Sequence, residues 1–84
     1  MKEEFLPIGS IITVANQDLM ICSYFKKGSL INNNQYDYAC CLYPYGINEK
    51  AALVKKSDIQ RVKFIGFLDS KFLELKKQLE DKNE

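Results

Sequence analysis

Eighty-four residues support one hydrophobic core and therefore one domain, spanning 1–84. With 46% hydrophobic residues, 27% charged residues and a net charge of +1, the chain has neither the apolar poverty nor the charge excess of a disordered segment. That balance also gives no long-range attraction to nucleic acid or an acidic membrane. The start, Met1-Lys2-Glu3-Glu4-Phe5-Leu6-Pro7, sets two acids and a proline where a signal peptide needs an apolar stretch. Its longest apolar runs are too short for a transmembrane helix, so no membrane insertion is expected and the expected location is cytoplasmic.

In chain order, Leu6-Pro7-Ile8-Gly9-Ser10 reads as a turn, with Pro7 fixing one backbone angle and Gly9 permitting an unusual one. Ile11 to Ala15 is β-branched and apolar, the first strand, and Asn16-Gln17-Asp18 is a polar reversal. Leu19 to Phe25 completes a hairpin. Alternation would place Leu19, Ile21, Ser23 and Phe25 on one face and Met20, Cys22 and Tyr24 on the other, both mainly apolar.

Lys26 to Gln35 is a loop, with Gly28, Ser29 and the turn-favouring run Asn32-Asn33-Asn34. Leu30 and Ile31 stand out in it as two aliphatic residues that either tuck onto the domain or form a contact point. Tyr36 to Tyr43 is the third strand, closed by the turn Pro44-Tyr45-Gly46. Ala51 to Val54 is a short fourth strand. Ser57-Asp58-Ile59 is a tight turn in which the Asp58 carboxylate can accept a backbone N–H. Arg61 to Phe67 is the fifth strand, Val62 and Phe64 alternating with Lys63 and Ile65.

The period then changes. Asp69 suits a helix N-cap, Leu68 and Leu73 have the spacing of a hydrophobic staple, and Phe72, Leu75 and Leu79 form an apolar stripe. The residues 81–84 should fray. Strands over about 10–67 and a helix over about 69–81 predict a mainly β (α+β) fold, a small SH3-like five-strand β-barrel with one C-terminal amphipathic helix over an open edge or end.

Catalytic chemistry is hard to find. The chain has no histidine, which removes histidine-based triads, most zinc sites and the usual acid or base near neutral pH. It has no phosphate-binding glycine loop, and its acidic pairs, Glu3-Glu4 and Glu80-Asp81, sit at the two ends. We therefore expect no enzyme activity, no cofactor and no metal. Three cysteines make an odd number without a C-x-x-C pair, and Cys40 and Cys41 should point to opposite faces of a strand. Cys22 and one of that pair read as small buried hydrophobes; a redox thiol or metal ligand would need a supporting cluster that the sequence does not display.

The tyrosines are the richer signal. Tyr24, Tyr36, Tyr38, Tyr43 and Tyr45 fall close together, and tyrosine pairs a large apolar body with a polar tip that suits contact surfaces. Taken singly, each reads first as a half-buried strand residue of a small sheet, and a contact patch would need two or more of them together. Tyr36, Tyr38, Tyr43, Tyr45, Leu30 and Ile31 are the candidate partner-binding residues.

Several strings in order resemble a known family: Leu6-Pro7-Ile8-Gly9-Ser10, Leu19-Met20-Ile21, Tyr36-Asp37-Tyr38, Tyr43-Pro44-Tyr45-Gly46, Asp58-Ile59 and Val62-Lys63-Phe64-Ile65-Gly66-Phe67. Together they are similar to domain-of-unknown-function family 4176, small proteins of Gram-positive bacteria. Pro7, Gly9, Pro44, Gly46, Asp58 and Gly66 would be its structural motif positions. The resemblance implies no catalytic activity and a setting in type VII secretion loci, near LXG-type toxins, their helical partners and immunity proteins. It implies an accessory role there as a cytosolic adaptor, chaperone or targeting factor for a secreted toxin. The chain departs from the family pattern at Cys40, where a small residue such as glycine is usual, and at Tyr45, where an acidic one is.

A binding module for a protein partner, either a toxin or a secretion component, is thus the leading expectation. An immunity protein is the alternative, although inhibitors of basic nucleases are often acidic and this chain is not. A nucleic-acid-binding barrel using Lys26, Lys27, Lys55, Lys56, Arg61 and Lys63 ranks lower, since the chain balances to +1 with a single arginine. A homodimer is compatible with each.

Overall fold

The structure, a computed structural model, describes residues 4–26, 30–46 and 51–80. Five strands run in chain order: β1 (Ile11–Val14), β2 (Gln17–Tyr24), β3 (Tyr38–Leu42), β4 (Ala52–Val54) and β5 (Arg61–Phe64). A 3-10 turn at Lys56–Asp58 separates β4 from β5, and helix α1 (Ser70–Glu80) follows. All pairings are antiparallel, and the strand order is β4-β3-β2-β1-β5. The expected mainly β fold with one C-terminal helix is present. The sheet curls as a meander whose last strand returns beside the first, but it is not closed, because β4 and β5 are its two unpaired edges. The Gly28–Ser29 part of the loop, Lys27, Glu3 and the expected fraying of 81–84 lie outside the described residues.

The β1–β2 hairpin is tighter than the polar reversal suggested. Val14 pairs with Gln17, leaving Ala15 and Asn16 as a two-residue turn with φ of 51° and 63°. Both angles are positive, as the turn that matches strand twist demands. Asn16 accepts that conformation readily, whereas Ala15 adopts it against its Cβ.

Two bulges correct the simple alternation. The β2–β3 register shifts between Ile21 and Ser23, and the β1–β5 register shifts between Ile11 and Ile12. A bulge sets two residues against one and re-aims the side chains beyond it. In β2, Tyr24 therefore joins Leu19 and Ile21 on the core face instead of opposing them, and Ser23 is exposed. In β5, Lys63 and Phe64 both lie on the outer side while Val62 and Ile65 pack toward the core.

The core gathers Phe5, Leu6, Ile12, Leu19, Ile21, Tyr38, Cys40, Val54 and Ile59 on one face of the sheet. Each aliphatic side chain fully buried there contributes about 1.5–3 kcal/mol. Three rings interlock within it: Phe5 meets Tyr24 and Tyr38 nearly edge to face at 5.7 and 5.6 Å between centroids. The N-terminal segment is tied down by those rings. Tyr38 Oη accepts the Leu6 N–H at 3.0 Å and donates to the Glu4 carbonyl at 3.3 Å, and Tyr24 Oη donates to the Leu6 carbonyl.

Helix α1 starts as expected, with Asp69 Oδ1 accepting the Phe72 N–H at 2.9 Å. It buries no residue completely; Leu79 reaches the core, while Leu73 and Leu75 remain exposed. Its last turns are held by polar contacts instead. Glu80 Oε2 accepts the Phe5 N–H at 2.9 Å, and Lys76 Nζ lies 3.1 Å from Glu4 and 3.8 Å from Glu80. Acids near opposite ends of the chain thus meet over one lysine.

Candidate functional site: the outer face of the sheet

A half-solvated antiparallel sheet ordinarily turns polar side chains outward. On β1, β2 and β5 one outward row, Ile11, Met20 and Phe64, is instead apolar, beside the polar row of Thr13, Asp18 and Arg61. Register places Ile11 beside Met20 on one side and Phe64 on the other, and Tyr43 follows β3 with its N–H donating to the Asp18 carbonyl at 3.1 Å. Ile11, Met20, Tyr43 and Phe64 line an open cleft of about 410 Å³. Phe64 is 60% exposed and Tyr43 49%. At the rim Lys63 Nζ pairs with Asp18 Oδ2 at 3.0 Å, and Thr13 Oγ1 donates to Asp18 Oδ1 at 3.1 Å. The Lys63 ammonium is the main reason the Asp18 carboxyl ionises below its usual range. The cleft therefore offers an apolar floor with one fixed pair of opposite charges.

The candidate contact residues scatter over the fold. Tyr38 is corrected outright: at 0% exposure it is a core residue, and burial raises its phenol far above the usual value. Its place opposite Val54 and Tyr24 leaves it no solvent face. Tyr36 is half-buried, with Lys55 Nζ 5.6 Å from its ring centre. Leu30 is 62% exposed, and Ile31 is half-buried in a small turn where its N–H and carbonyl pair with Asn34 at 2.9 Å each. Tyr45, 84% exposed, shares a turn with Tyr43; the Tyr43–Pro44 peptide is cis and Gly46, at φ 88°, returns its N–H to the Leu42 carbonyl at 2.7 Å.

The Leu30–Ile31 loop lies beyond the Tyr24–Tyr38 pair, and the Tyr43–Gly46 turn lies past the Leu19–Leu42 pair. Five residues of strand separate these ends, roughly 17 Å. The candidates do not form one patch. Only Tyr43 lines the cleft, and its companion Phe64 read in the sequence as an ordinary alternating strand residue. A Lys-Phe dipeptide in a short edge strand offers no local sign of a bulge.

The motif positions sit at backbone junctions. Pro7 and Gly9 shape a turn closed by the Ser10 N–H to the Pro7 carbonyl at 3.1 Å, with Gly9 at φ 94°. Asp58 Oδ2 accepts the Lys55 N–H at 3.0 Å, while Asp37 Oδ2 accepts the Lys56 N–H at 2.7 Å, so two carboxylates hold the 3-10 turn. Gly66 lies against the Pro7–Ser10 turn, so closely that an added Cβ would sit 2.3 Å from the Ile8 carbonyl oxygen.

The cysteines divide as strand geometry requires. Cys40 faces the core, where burial pushes its thiol up to about 12. Cys41 is buried on the outer side against Cys22, their Sγ atoms 3.3 Å apart and unbonded. Cys22 is half-buried rather than fully buried, and desolvation, then the neighbouring thiol, raises its pKa. Among the described residues no cluster of three or more His, Cys, Asp or Glu side chains is placed to hold a metal ion, and no helix is long and apolar enough to cross a membrane.

Fold and surface together define a small open-sheet domain with an apolar outer cleft. Residues 5–75 match the model of the family described as Domain of unknown function (DUF4176), and the chain belongs to that family. No curated protein and no solved structure matches it significantly.

Proposed function

We propose that this chain is a non-enzymatic binding module, acting in the cytoplasm as an adaptor, chaperone or targeting factor for a type VII secreted LXG-type toxin. The observation that carries the reading is the cleft between Phe64 and Tyr43, floored by Ile11 and Met20. Exposed aromatics around an apolar floor are the usual energetic centre of a protein interface. The secretion setting is taken from the family resemblance. An amphipathic helix of the toxin is the occupant we assign: it would lay an apolar stripe along Ile11, Met20 and Phe64 and meet Asp18 or Lys63 with a charged flank. Net charge of +1 leaves little electrostatic steering, which makes apolar contact the main source of affinity.

Co-expression with the products of the neighbouring genes, an LXG-type toxin among them on this reading, followed by size exclusion, tests it. A co-eluting complex that Phe64→Asp abolishes, with unchanged thermal stability of the free domain, is the expected result. No co-elution, or a complex indifferent to Phe64→Asp and Tyr43→Ala, overturns it. Protection of toxin-expressing cells in place of export would assign the immunity role instead.

A further inference from the structure

The sequence left Cys22 without a reactive companion; the β2–β3 ladder supplies one. Cys41 pairs directly with Met20 across that ladder, and Cys22, two residues further along β2, shares the outer face of Met20 and stands unpaired at the bulge between Ile21 and Ser23. The two Sγ atoms come within 3.3 Å, closer than ordinary contact between sulfurs. Bond formation at about 2.04 Å requires a further approach of little more than 1 Å. A bulged strand can accommodate that approach with less disruption than a fully laddered one.

We propose that Cys22 and Cys41 are a reversible disulfide site, oxidised by a small-molecule disulfide of the glutathione class and reopened by excess thiol. Cys22 is the half-exposed member and is the sulfur an external reagent reaches; Cys41 is buried and is reached only by its neighbour. The Cys22 thiolate attacks the reagent, forming a mixed disulfide and expelling one small thiol. Cys41 then attacks the Cys22 sulfur and expels the second. Two protein thiols thereby lose two electrons and two protons, and the reagent is reduced to two thiols. Cys40 takes no part because it sits on the core face, fully buried beside Ile21. The bond would clamp β2 to β3 next to Met20, so oxidation stiffens one wall of the outer cleft. The inference stands on the cysteine geometry and does not depend on the proposed partner.

Incubation of the full chain with oxidised glutathione at mildly alkaline pH, followed by intact mass and peptide mapping, tests it. The expected product is a monomer lighter by two hydrogen atoms, with Cys22 and Cys41 linked and Cys40 free. Dithiothreitol should reverse it, and the oxidised form should melt higher by on the order of 10 °C. Cys41→Ala should accumulate one glutathione on Cys22, while Cys40→Ala should behave as the parent chain. A parent chain that remains reduced, retains glutathione on Cys22, links through Cys40 or crosslinks to a second copy overturns the proposal. Mapping of the parent chain decides the matter even if a variant fails to fold.

Discussion

The Gly66 N–H donates to the Ser10 hydroxyl oxygen at 2.9 Å, joining the chain just after β5 to the completely buried residue just before β1. The contact exists only because position 66 has no side chain: a Cβ there would lie 2.3 Å from the Ile8 oxygen and 2.9 Å from the Ser10 nitrogen, both backbone atoms. Gly66→Ala should therefore destabilise by roughly 2–4 kcal/mol, against a total of roughly 4–12 for a chain of this length. Ser10→Ala removes one hydrogen bond and should cost about 1 kcal/mol. Urea unfolding of both variants checks the ranking, and a Gly66→Ala chain as stable as Ser10→Ala would contradict it.

Tyr38 does its work inside. Tyr38→Phe strands the buried Leu6 N–H and should cost about 1–3 kcal/mol, whereas the same change at a surface contact would leave stability almost unaltered. Tyr24→Phe should cost less, because it leaves only the Leu6 carbonyl without its hydroxyl donor. Urea midpoints of the two variants, measured side by side, check the order.

Burial also gives these phenols an alkaline signature. It pushes Tyr24 from an ordinary 10 up to about 12, and Tyr38 further. Between those values the folded chain holds protons that the unfolded chain has lost, so the folded state loses stability as pH rises. The tyrosine contribution should be fully present below about pH 10 and fall away through pH 12. Denaturant midpoints measured across that range check it, and Tyr24→Phe should flatten part of the decline.

Ala15 is the position most open to improvement. Its φ of 51° is comfortable for glycine or asparagine and strained for alanine. Ala15→Gly or Ala15→Asn should raise stability by about 0.5–1 kcal/mol. The Asn16 N–H donates to Gln60 Oε1 at 2.9 Å, and that link should survive because neither variant alters the turn geometry. Thermal unfolding of both variants provides the measurement.

Helix α1 should be the first element to open, since it buries no residue completely. Asp69→Ala should lower helicity at the cost of about 1 kcal/mol while leaving the sheet folded. At the other end the Lys76 ammonium holds the Glu4 carboxyl below its usual range. That contribution is present above about pH 4.5 and lost as pH falls through the folded value. Protection factors of the helix amides, taken against intrinsic exchange at each pH, should accordingly fall in acid and in high salt, while those of the β2–β3 amides hold.

Local chemistry determined the elements, and the long-range pairings decided the surface. Strand positions, the Asp69 cap, the Pro7–Gly9 turn and the mainly β class were readable because each depends on residues a few positions apart. The bulges were not readable, since a bulge is a mismatch between two strands and neither carries it alone. One of them moved Tyr24 inward, away from the face it would share with Met20 and Cys22; the other put Lys63 and Phe64 on the same side. Tyrosine clustering in sequence suggested one contact patch, yet the β2–β3 hairpin sends Leu30 and Tyr43 to opposite ends and carries Tyr38 into the core. The outer cleft unites Ile11, Met20, Tyr43 and Phe64, residues from four parts of the chain. Only the tertiary pairing of β1 with both β2 and β5 brings such residues onto one face.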